Sequence, residues 1–413
     1  MGGFLFAGTD SQPMDSGSGP TPPGERIVSL DVLRGFALLG ILVINIRVFG
    51  MPFAVLQNPT VYGDFTGLNY LAWLVGHVFA KEKFITLFTL LFGAGIVLFS
   101  RSKDTDEVIG LHYRRTMILL VIGLAHAYLL WYGDILVPYA VCGLLVVSAR
   151  DWEPAAQLRT GLLLVAVPTL LTVLQGLSMD PGAAVPGWTP SAEALAAEVE
   201  TYRSGWLAQF DHRVPTAWLL QTGSFIAGTG WRIGGLMLVG MGLFKSGVLS
   251  NARSTAFYRR LLVGGGLGGL VLIGTGVWYI ESVGWAGREA AYFGAQFNYW
   301  GSLLLASGYI AAVMLYCRWR TEGPVITALS AVGRTALSNY LLQTVLATSI
   351  FYGHGLGLFG RLSRVELLGV VVGIWAVQIA LSVLWVRSFR FGPVEWLWRT
   401  ATYGSRQPLR KDG

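Results

Sequence analysis

Long apolar stretches recur along almost the whole chain, and short polar or glycine-rich connections separate them. A transmembrane helix needs about 20 predominantly apolar residues, and most of these stretches approach that length. The pattern predicts an all-α, polytopic membrane helix bundle with about ten crossings. The predicted spans are 27–48, 84–100, 115–131, 135–149, 160–178, 221–244, 261–280, 295–316, 335–351 and 366–386.

Composition agrees with a membrane protein. Hydrophobic residues make up 53% of the chain and charged residues 13%, whereas about a quarter of a soluble globular protein is charged. The net charge of +7 is therefore not evidence of nucleic-acid binding. Both cysteines, Cys142 and Cys317, lie in apolar runs, so neither a disulfide framework nor a metal site is expected.

The chain is expected to form one membrane domain with two tails. Residues 1–25 are rich in Gly, Ser and Pro, which predicts a disordered cytoplasmic tail. A single transmembrane domain is expected over 26–400, and 401–413 is predicted to be a cytoplasmic C-terminal tail. The largest external loop is predicted at 178–220, with a helix within SAEALAAEVETYRSGW.

The basic residues of the connections predict the orientation. Most of them fall in the loops on the side of the N-terminus, so the positive-inside rule places both termini in the cytoplasm. The segment 69–84 would invert every later loop if it were a crossing. It is therefore predicted to be a short interfacial or re-entrant helix on the other side of the membrane.

The first span carries charges that a lipid anchor does not need, at Asp31, Arg34 and Arg47. Asp31 and Arg34 are three positions apart and share one helix face. One interpretation is a mutually neutralised pair. The other is a cytosol-facing cationic site whose guanidinium binds a phosphate-bearing ligand.

His126 and Asp134 are the candidates for acid–base chemistry, because histidine transfers protons near neutral pH and a carboxylate can fix its tautomer. Eight residues of helix span about 12 Å, so contact between them requires the WYGD turn to fold back. The alternative is a histidine bonded to a neighbouring helix. His77 faces either lipid headgroups or an external cavity, and the remaining three histidines are predicted to lie in loops, at positions 112, 212 and 354.

Other polar residues of the predicted spans have two interpretations. Arg232 requires a carboxylate, carbonyl groups or an anionic ligand. Asn339 and Gln343 share a helix face and either connect helices or line a pocket, and connecting helices is the commoner outcome. The tryptophans around Glu395 in FGPVEWLWR predict a cytoplasmic interfacial helix rather than an active site.

Five blocks occur in an order that resembles a known family: LDVLRGFALLGILVINI, FITLFTLLFGAGI, IGLAHAYLLWYGDILVPYAVCGLL, RTALSNYLLQT and FGPVEWLWR. Together they cover the chain from Arg26 to about Arg399. The sequence closely resembles the YeiB family of bacterial inner-membrane proteins, which is defined by a domain of unknown function. The resemblance implies a multi-pass protein of the bacterial inner membrane.

YeiB-like proteins are in turn similar to transmembrane acyltransferases, which move an acyl group from cytosolic acyl-CoA to an acceptor on the far side. This resemblance implies acyl-CoA, in particular acetyl-CoA, as co-substrate and no metal. The implied partners are membrane lipids and a small-molecule or glycan acceptor, with a homodimer as a further option. Two alternatives remain open: a transporter of a small metabolite or anion that uses Arg34 and Arg232, and a non-catalytic sensor or assembly protein.

One departure from the acyltransferase pattern concerns the catalytic base. The O-acetyltransferase signature is an arginine followed eleven positions later by a histidine, but Arg34 is followed at that spacing by Asn45. A neutral amide cannot act as a base. His126, supported by Asp134, is therefore the expected base, with His77 as second candidate. Asp31 and Arg34 would form the cytosolic mouth of a polar path, and Asn45 and Arg47 its far end.

Overall fold

The computed structural model describes residues 27–100 and 105–411, and the predicted tail at 1–25 lies outside them. In these two ranges helices joined by turns and loops are the regular structure, and the β pairing is limited to an isolated bridge between Phe389 and Arg410. The predicted all-α class is confirmed. The helices are α1 Val28–Gly50, α2 Gly67–Phe79, α3 Lys83–Ser100, α4 Thr105–Ala125, α5 Leu136–Val146, α6 Pro154–Ser178, α7 Ala192–Arg203, α8 Phe210–Gln221, α9 Gly230–Lys245, α10 Thr255–Ser282, α11 Ala295–Trp319, α12 Pro324–Arg334, α13 Ala336–Phe351, α14 Arg364–Ser388 and α15 Pro393–Tyr403.

Eight helical stretches of the described chain are long and apolar enough to cross a membrane, which makes this a multi-pass membrane protein. Each of the ten predicted spans coincides with a helix, but two of these helices are short. The 11 residues of α5 and the 16 residues of α13 fall below the length of a typical crossing. The eight stretches are Val28–Gly50, Gly67–Ser100, Ile109–Leu130, Pro154–Ser178, Phe210–Lys245, Thr255–Ser282, Glu289–Trp319 and Arg364–Ser388.

A short helix precedes α3, as the sequence predicted. The 13 residues of α2 end at Phe79, and the chain turns through Glu82, whose φ of 71° lies in the left-handed region, before α3 begins. On the face of α2 away from the bundle, Leu68 and Val75 are exposed. An exposed apolar face is typical of a helix that lies against lipid.

Helices α1 and α12 cross in backbone contact. A Cβ atom on Gly35 would lie 2.0 Å from the carbonyl oxygen of Leu329, and one on Gly333 would lie 1.9 Å from that of Asp31. Only glycine permits this approach. The crossing brings Arg334, at the end of α12, beside the first turns of α1.

Three boundaries differ from the sequence predictions. His112 lies inside α4 and His212 inside α8, so neither is in a loop, and α8 occupies the last part of the predicted external loop 178–220. Each histidine has a partner inside the protein: His112 bonds to the carbonyl oxygen of Gly143, and His212 bonds to the Tyr202 hydroxyl. The helix predicted in the external loop is present as α7. The C-terminal segment is not a free tail, because Arg390 N donates to Leu409 O and Lys411 N to Ser388 O.

Candidate functional site

A chain of three buried side chains connects α4, α5 and α13. Nδ1 of His126 lies 2.7 Å from Oδ1 of Asp134, and Nε2 of the same ring lies 2.9 Å from Oγ1 of Thr344. The imidazole is 1% exposed and the carboxylate 0%. In the neutral tautomer that donates the Nδ1 proton to the carboxylate, Nε2 carries a lone pair that can accept the hydroxyl proton of Thr344.

The local fold brings His126 and Asp134 together by widening the last turn of the α4 helix. Residues His126–Leu130 form a π-helical turn, which the bond from Trp131 N to His126 O closes at 2.9 Å. The next residues reverse direction, and Oδ2 of Asp134 accepts the Val137 N–H at 2.7 Å at the start of α5. One carboxylate therefore caps α5 and holds the imidazole. Such π turns occur frequently at functional sites.

A cavity of about 320 Å³ opens at the end of the bundle that contains Asp31 and Arg34. Its polar lining is predominantly cationic, and its walls are apolar and aromatic. The innermost residues include Ile41 of α1, Tyr340 of α13 and Ile135, which precedes α5. The charged side chains and the histidine of the lining are Asp31, Arg34, His112, Arg115, Arg334, Glu395 and Arg399.

The cations of this cavity are held by close contacts. Nη1 of Arg34 lies 3.0 Å from Oδ1 of Asp31, as the predicted shared helix face requires. Arg115 lies over the ring of Trp398 at 4.3 Å, and Arg399 lies over the ring of Phe391 at 4.5 Å.

Glu395 is an acidic residue among the arginines that line this cavity. The sequence predicted an interfacial helix for it and not a functional site. It lies on α15, and its carboxylate accepts the N–H groups of Leu337 at 2.6 Å and Ser338 at 3.1 Å. It therefore caps the N-terminus of α13 from a different helix. Burial raises the pKa of Glu395, and hydrogen bonds from Ser338 partly oppose the shift.

Tyr340 separates the cavity from the buried hydrogen-bonded side chains of Asp134, His126 and Thr344. Its hydroxyl accepts the Ile135 N–H at 3.2 Å, and its ring centroid is 5.1 Å from that of His126. Tyr340 lines the cavity on one side and touches the imidazole on the other. A movement of this one side chain would connect the cationic mouth with His126.

Asn339 and Gln343 connect helices. The amide of Asn339 donates to Thr335 and Ser382, and Gln378 donates to its oxygen at 3.1 Å. Gln343 donates to Leu38 O on α1 at 3.2 Å and to Gln378 on α14 at 3.1 Å. These bonds fix α1, α13 and α14 together, and they do not place either residue in the cavity.

Three further candidates lie away from the cavity. Arg47 is buried, and its Nη2 donates to the carbonyl oxygens of Ala72 at 3.0 Å and Trp73 at 3.2 Å, which fastens α2 to α1. His77 is buried in α2 against Trp73. Asn45 is half-buried on α1, one turn beyond Ile41, and makes no side-chain hydrogen bond within the part of the chain described. Neither Arg47 nor His77 reaches His126.

Arg232 belongs to a second polar cluster, between α3, α9 and α11. Its guanidinium pairs with Glu82 at 3.1 Å and donates to Ser302 at 2.9 Å. Nearby, Nζ of the fully buried Lys83 donates to Asn298 at 2.5 Å and to His77 O at 2.8 Å. Arg232 therefore has the carboxylate partner that the sequence required, and it does not line the cavity of Arg34.

Comparisons with known proteins give one family and several relatives. The family described as "Protein of unknown function (DUF418)" matches residues 243–405. The chain is 36% identical over 401 residues to the uncharacterized protein YeiB of Escherichia coli (strain K12), covering 93% of this chain and 98% of the relative. It is 33% identical over 415 residues to the uncharacterized protein YxaH of Bacillus subtilis (strain 168), covering 95% and 98% respectively.

Proposed function

The chain belongs to the YeiB family, and from that premise we propose that it is a transmembrane acyltransferase. It would take an acyl group from cytosolic acyl-CoA, such as acetyl-CoA, and pass it to a hydroxyl or amine acceptor at the extracytoplasmic side of the bacterial inner membrane. The observation that carries the proposal is the buried Asp134–His126–Thr344 chain, which lies behind the inner end of an arginine-lined cavity.

The cavity suits a thioester donor. Arginines at its mouth provide bidentate donors for phosphate groups, and aromatic and aliphatic walls suit an apolar acyl arm. A volume of about 320 Å³ accommodates the narrow arm of an acyl-CoA rather than the whole molecule. The phosphates would therefore remain at the mouth, near Arg34, Arg115 and Arg399.

His126 would act as the general base. Its Nε2 takes the proton of the acceptor hydroxyl, the acceptor oxygen attacks the thioester carbonyl carbon, and the carbon–sulfur bond breaks. The proton then passes to the CoA thiolate. Asp134 holds the tautomer and stabilises the imidazolium. Thr344 occupies the position that the acceptor hydroxyl would take, and Tyr340 must move for donor and base to meet.

The proposed orientation rests on the distribution of the basic residues. Arg34, Arg115 and Arg399 mark one end of the bundle, and by the positive-inside rule this end faces the cytoplasm with both termini. The donor site would then face the cytosol. His126 follows the last residue of α4, so it would lie near the extracytoplasmic side.

Release of CoA from acetyl-CoA tests the proposal. Full-length protein in proteoliposomes is expected to release free CoA thiol when hydroxyl- or amine-bearing acceptors are present. Thr348→Val is a matched control for the variant Thr344→Val, because both hydroxyls lie one turn apart on α13 and Thr348 bonds within its own helix. Because the Thr344 hydroxyl occupies Nε2 of His126, we expect a change in the rate of CoA release in Thr344→Val but not in Thr348→Val. Absence of thiol release by wild-type protein over a broad acceptor panel would reject the proposal.

A second candidate function is transport of a small anion, favoured by the buried Lys83 and Arg232 cluster. A transporter would move a labelled anion across proteoliposomes without cleaving acetyl-CoA. The same preparation separates the two functions, because uptake without thiol release supports transport alone.

A further inference from the structure

We propose that Arg213, Tyr132 and Tyr352 form a binding site for an acidic group, a carboxylate or a phosphate, beside the turn that carries His126. The identification of the bound molecule as the acyl acceptor rests on the proposed transferase activity. The site itself does not depend on that activity.

Arg213 is a buried cation without a counter-ion. It lies on α8 and is 0% exposed. Its Nε donates to Tyr128 O at 2.9 Å, its Nη1 lies 3.5 Å from Oε1 of Gln209, and its Nη2 has no hydrogen-bond partner. Among the ion pairs of residues 27–100 and 105–411, none includes Arg213. Removing a guanidinium from water without a compensating charge is costly, so an anionic ligand would stabilise this arrangement.

Three further buried donors are unpaired in the aromatic cluster next to Arg213, in which rings are in contact from Trp131 through Tyr132 and Tyr202 to Tyr352. The hydroxyl groups of Tyr132 and Tyr352 and the indole N–H of Trp131 have no partner among the described residues. Tyr202 lies between the two tyrosines, with ring centroids 6.1 Å from Tyr132 and 4.7 Å from Tyr352, and its own hydroxyl is bonded to His212 at 2.9 Å. Most buried polar groups are paired, so several orphaned donors in one cluster indicate an absent acceptor.

The charge states suit an oxyanion. Burial raises the pKa of Tyr132 and of Tyr352, so both hydroxyls remain protonated donors at neutral pH. The charge of Arg213 partly opposes the rise in the pKa of Tyr352. The carboxyl group near the cluster is Glu198; burial raises its pKa, and a bond from Phe53 N at 2.9 Å opposes the shift. Each unpaired group of the cluster can donate a hydrogen bond, and Arg213 and Trp131 can only donate, so a ligand rich in acceptors complements them.

The cluster is joined to the proposed catalytic turn. Arg213 bonds to the carbonyl of Tyr128, a residue of the π-helical turn His126–Leu130. The ring centroid of Trp131 lies 6.4 Å from that of His126. A molecule held by its acidic group at Arg213 would therefore have its remaining atoms near His126, which is the position of an acceptor in acyl transfer.

The experiment measures the thermal unfolding midpoint of the full-length protein in nanodiscs, without acyl-CoA, against three probes. Glucuronate carries a carboxylate, glucose 6-phosphate carries a phosphate, and glucose is the neutral control. We expect a saturable rise of the midpoint with at least one acidic probe and none with glucose. His126→Ala should retain this binding. Binding of the acids without any acyl transfer by wild-type protein would leave the site standing and remove only the acceptor assignment.

Variants of single hydroxyl groups keep the test independent of folding. Tyr352→Phe removes an unpaired hydroxyl, so it should leave the midpoint without probe unchanged or higher and weaken the binding of the acidic probe about tenfold. Tyr258→Phe is the control, because its hydroxyl is bonded to Val248 O at 2.8 Å; it should lower the midpoint and leave probe affinity unchanged. Arg213→Gln should abolish binding of the acidic probe. If Arg213→Gln does not fold, the probe affinity of Tyr352→Phe tests the proposal instead. No shift by either acid, equal binding of glucose, or unchanged affinity in Tyr352→Phe would overturn the proposal.

Discussion

His126 and Asp134 are eight residues apart in the chain, yet Nδ1 of one lies 2.7 Å from Oδ1 of the other. A continuous helix would separate them by about 12 Å. The π-helical turn and the reversal that follows it remove that separation, and the bond from Asp134 to Val137 N fixes the carboxylate in place. The pair therefore has the geometry in which a carboxylate orients an imidazole for proton transfer.

Asp134→Asn tests whether the carboxylate orients the imidazole. The amide keeps the shape of the side chain but loses the charge, so the imidazolium formed during transfer is less stabilised. We expect acyl transfer to fall by about tenfold or more, with acyl-CoA affinity unchanged. Rates and affinities are measured on the same proteoliposome preparation. An unaltered rate would show that Asp134 serves only as the cap of α5.

Arg34→Gln separates donor binding from stability. The side chains of Arg34 and Asp31 are 30% and 18% exposed, so this ion pair is not fully buried. We expect acyl-CoA affinity to drop by at least tenfold, while the free energy of unfolding changes by about 1 kcal/mol or less. Calorimetric binding and thermal unfolding on one sample give both values. A large loss of stability with normal acyl-CoA binding would remove Arg34 from the donor site.

Glu395→Gln tests the titration of the buried carboxyl group in the cavity. Because burial raises the pKa of Glu395, the folded state favours its protonated form. The stability from this group is fully present below its ordinary pKa of about 4.3 and is lost as pH rises through the folded-state pKa. We expect the difference in unfolding free energy, wild type minus Glu395→Gln, to decrease from about pH 4 to about pH 7. A difference that grows with pH would contradict the raised pKa.

Cysteine labelling tests the orientation. In a background in which Cys142 and Cys317 are replaced by alanine, Ala192→Cys and Ala252→Cys place single thiols at exposed positions. The positive-inside rule predicts that an impermeant maleimide added outside the cell modifies the first thiol and not the second. Both should react after the membrane is permeabilised. The opposite labelling pattern would reverse the assignment of the two sides.

The fold class could be predicted from the sequence because apolar length determines which segments cross a membrane. All ten predicted spans are helical, and the short helix before α3 was also expected. Ten crossings were predicted, but eight helical stretches of the described chain are long and apolar enough to cross a membrane, since α5 and α13 are short helices. Helix starts were missed at α4 and α8 because inward-facing polar residues such as His112 and His212 are indistinguishable from loop residues in one sequence.

The candidate site could be predicted only in part. Asp31 with Arg34 follows from helix spacing, and His126 follows from its place within an apolar span. Thr344 was missed, since its contact with His126 joins residues 218 positions apart, and a threonine in a span has no sequence signal of its own. Glu395 was assigned to an interfacial helix alone, because its role as the cap of α13 depends on how α15 folds back.

The central claim is that His126 is the base of an acyl transfer, and the rate of His126→Ala tests it most directly. A positioned general base contributes about 10²- to 10⁴-fold. We expect His126→Ala to reduce acetyl-CoA-dependent transfer by at least about a hundredfold with acetyl-CoA affinity nearly unchanged, because Tyr340 separates the imidazole from the cationic mouth. Transfer at the wild-type rate by a folded His126→Ala protein would contradict the account.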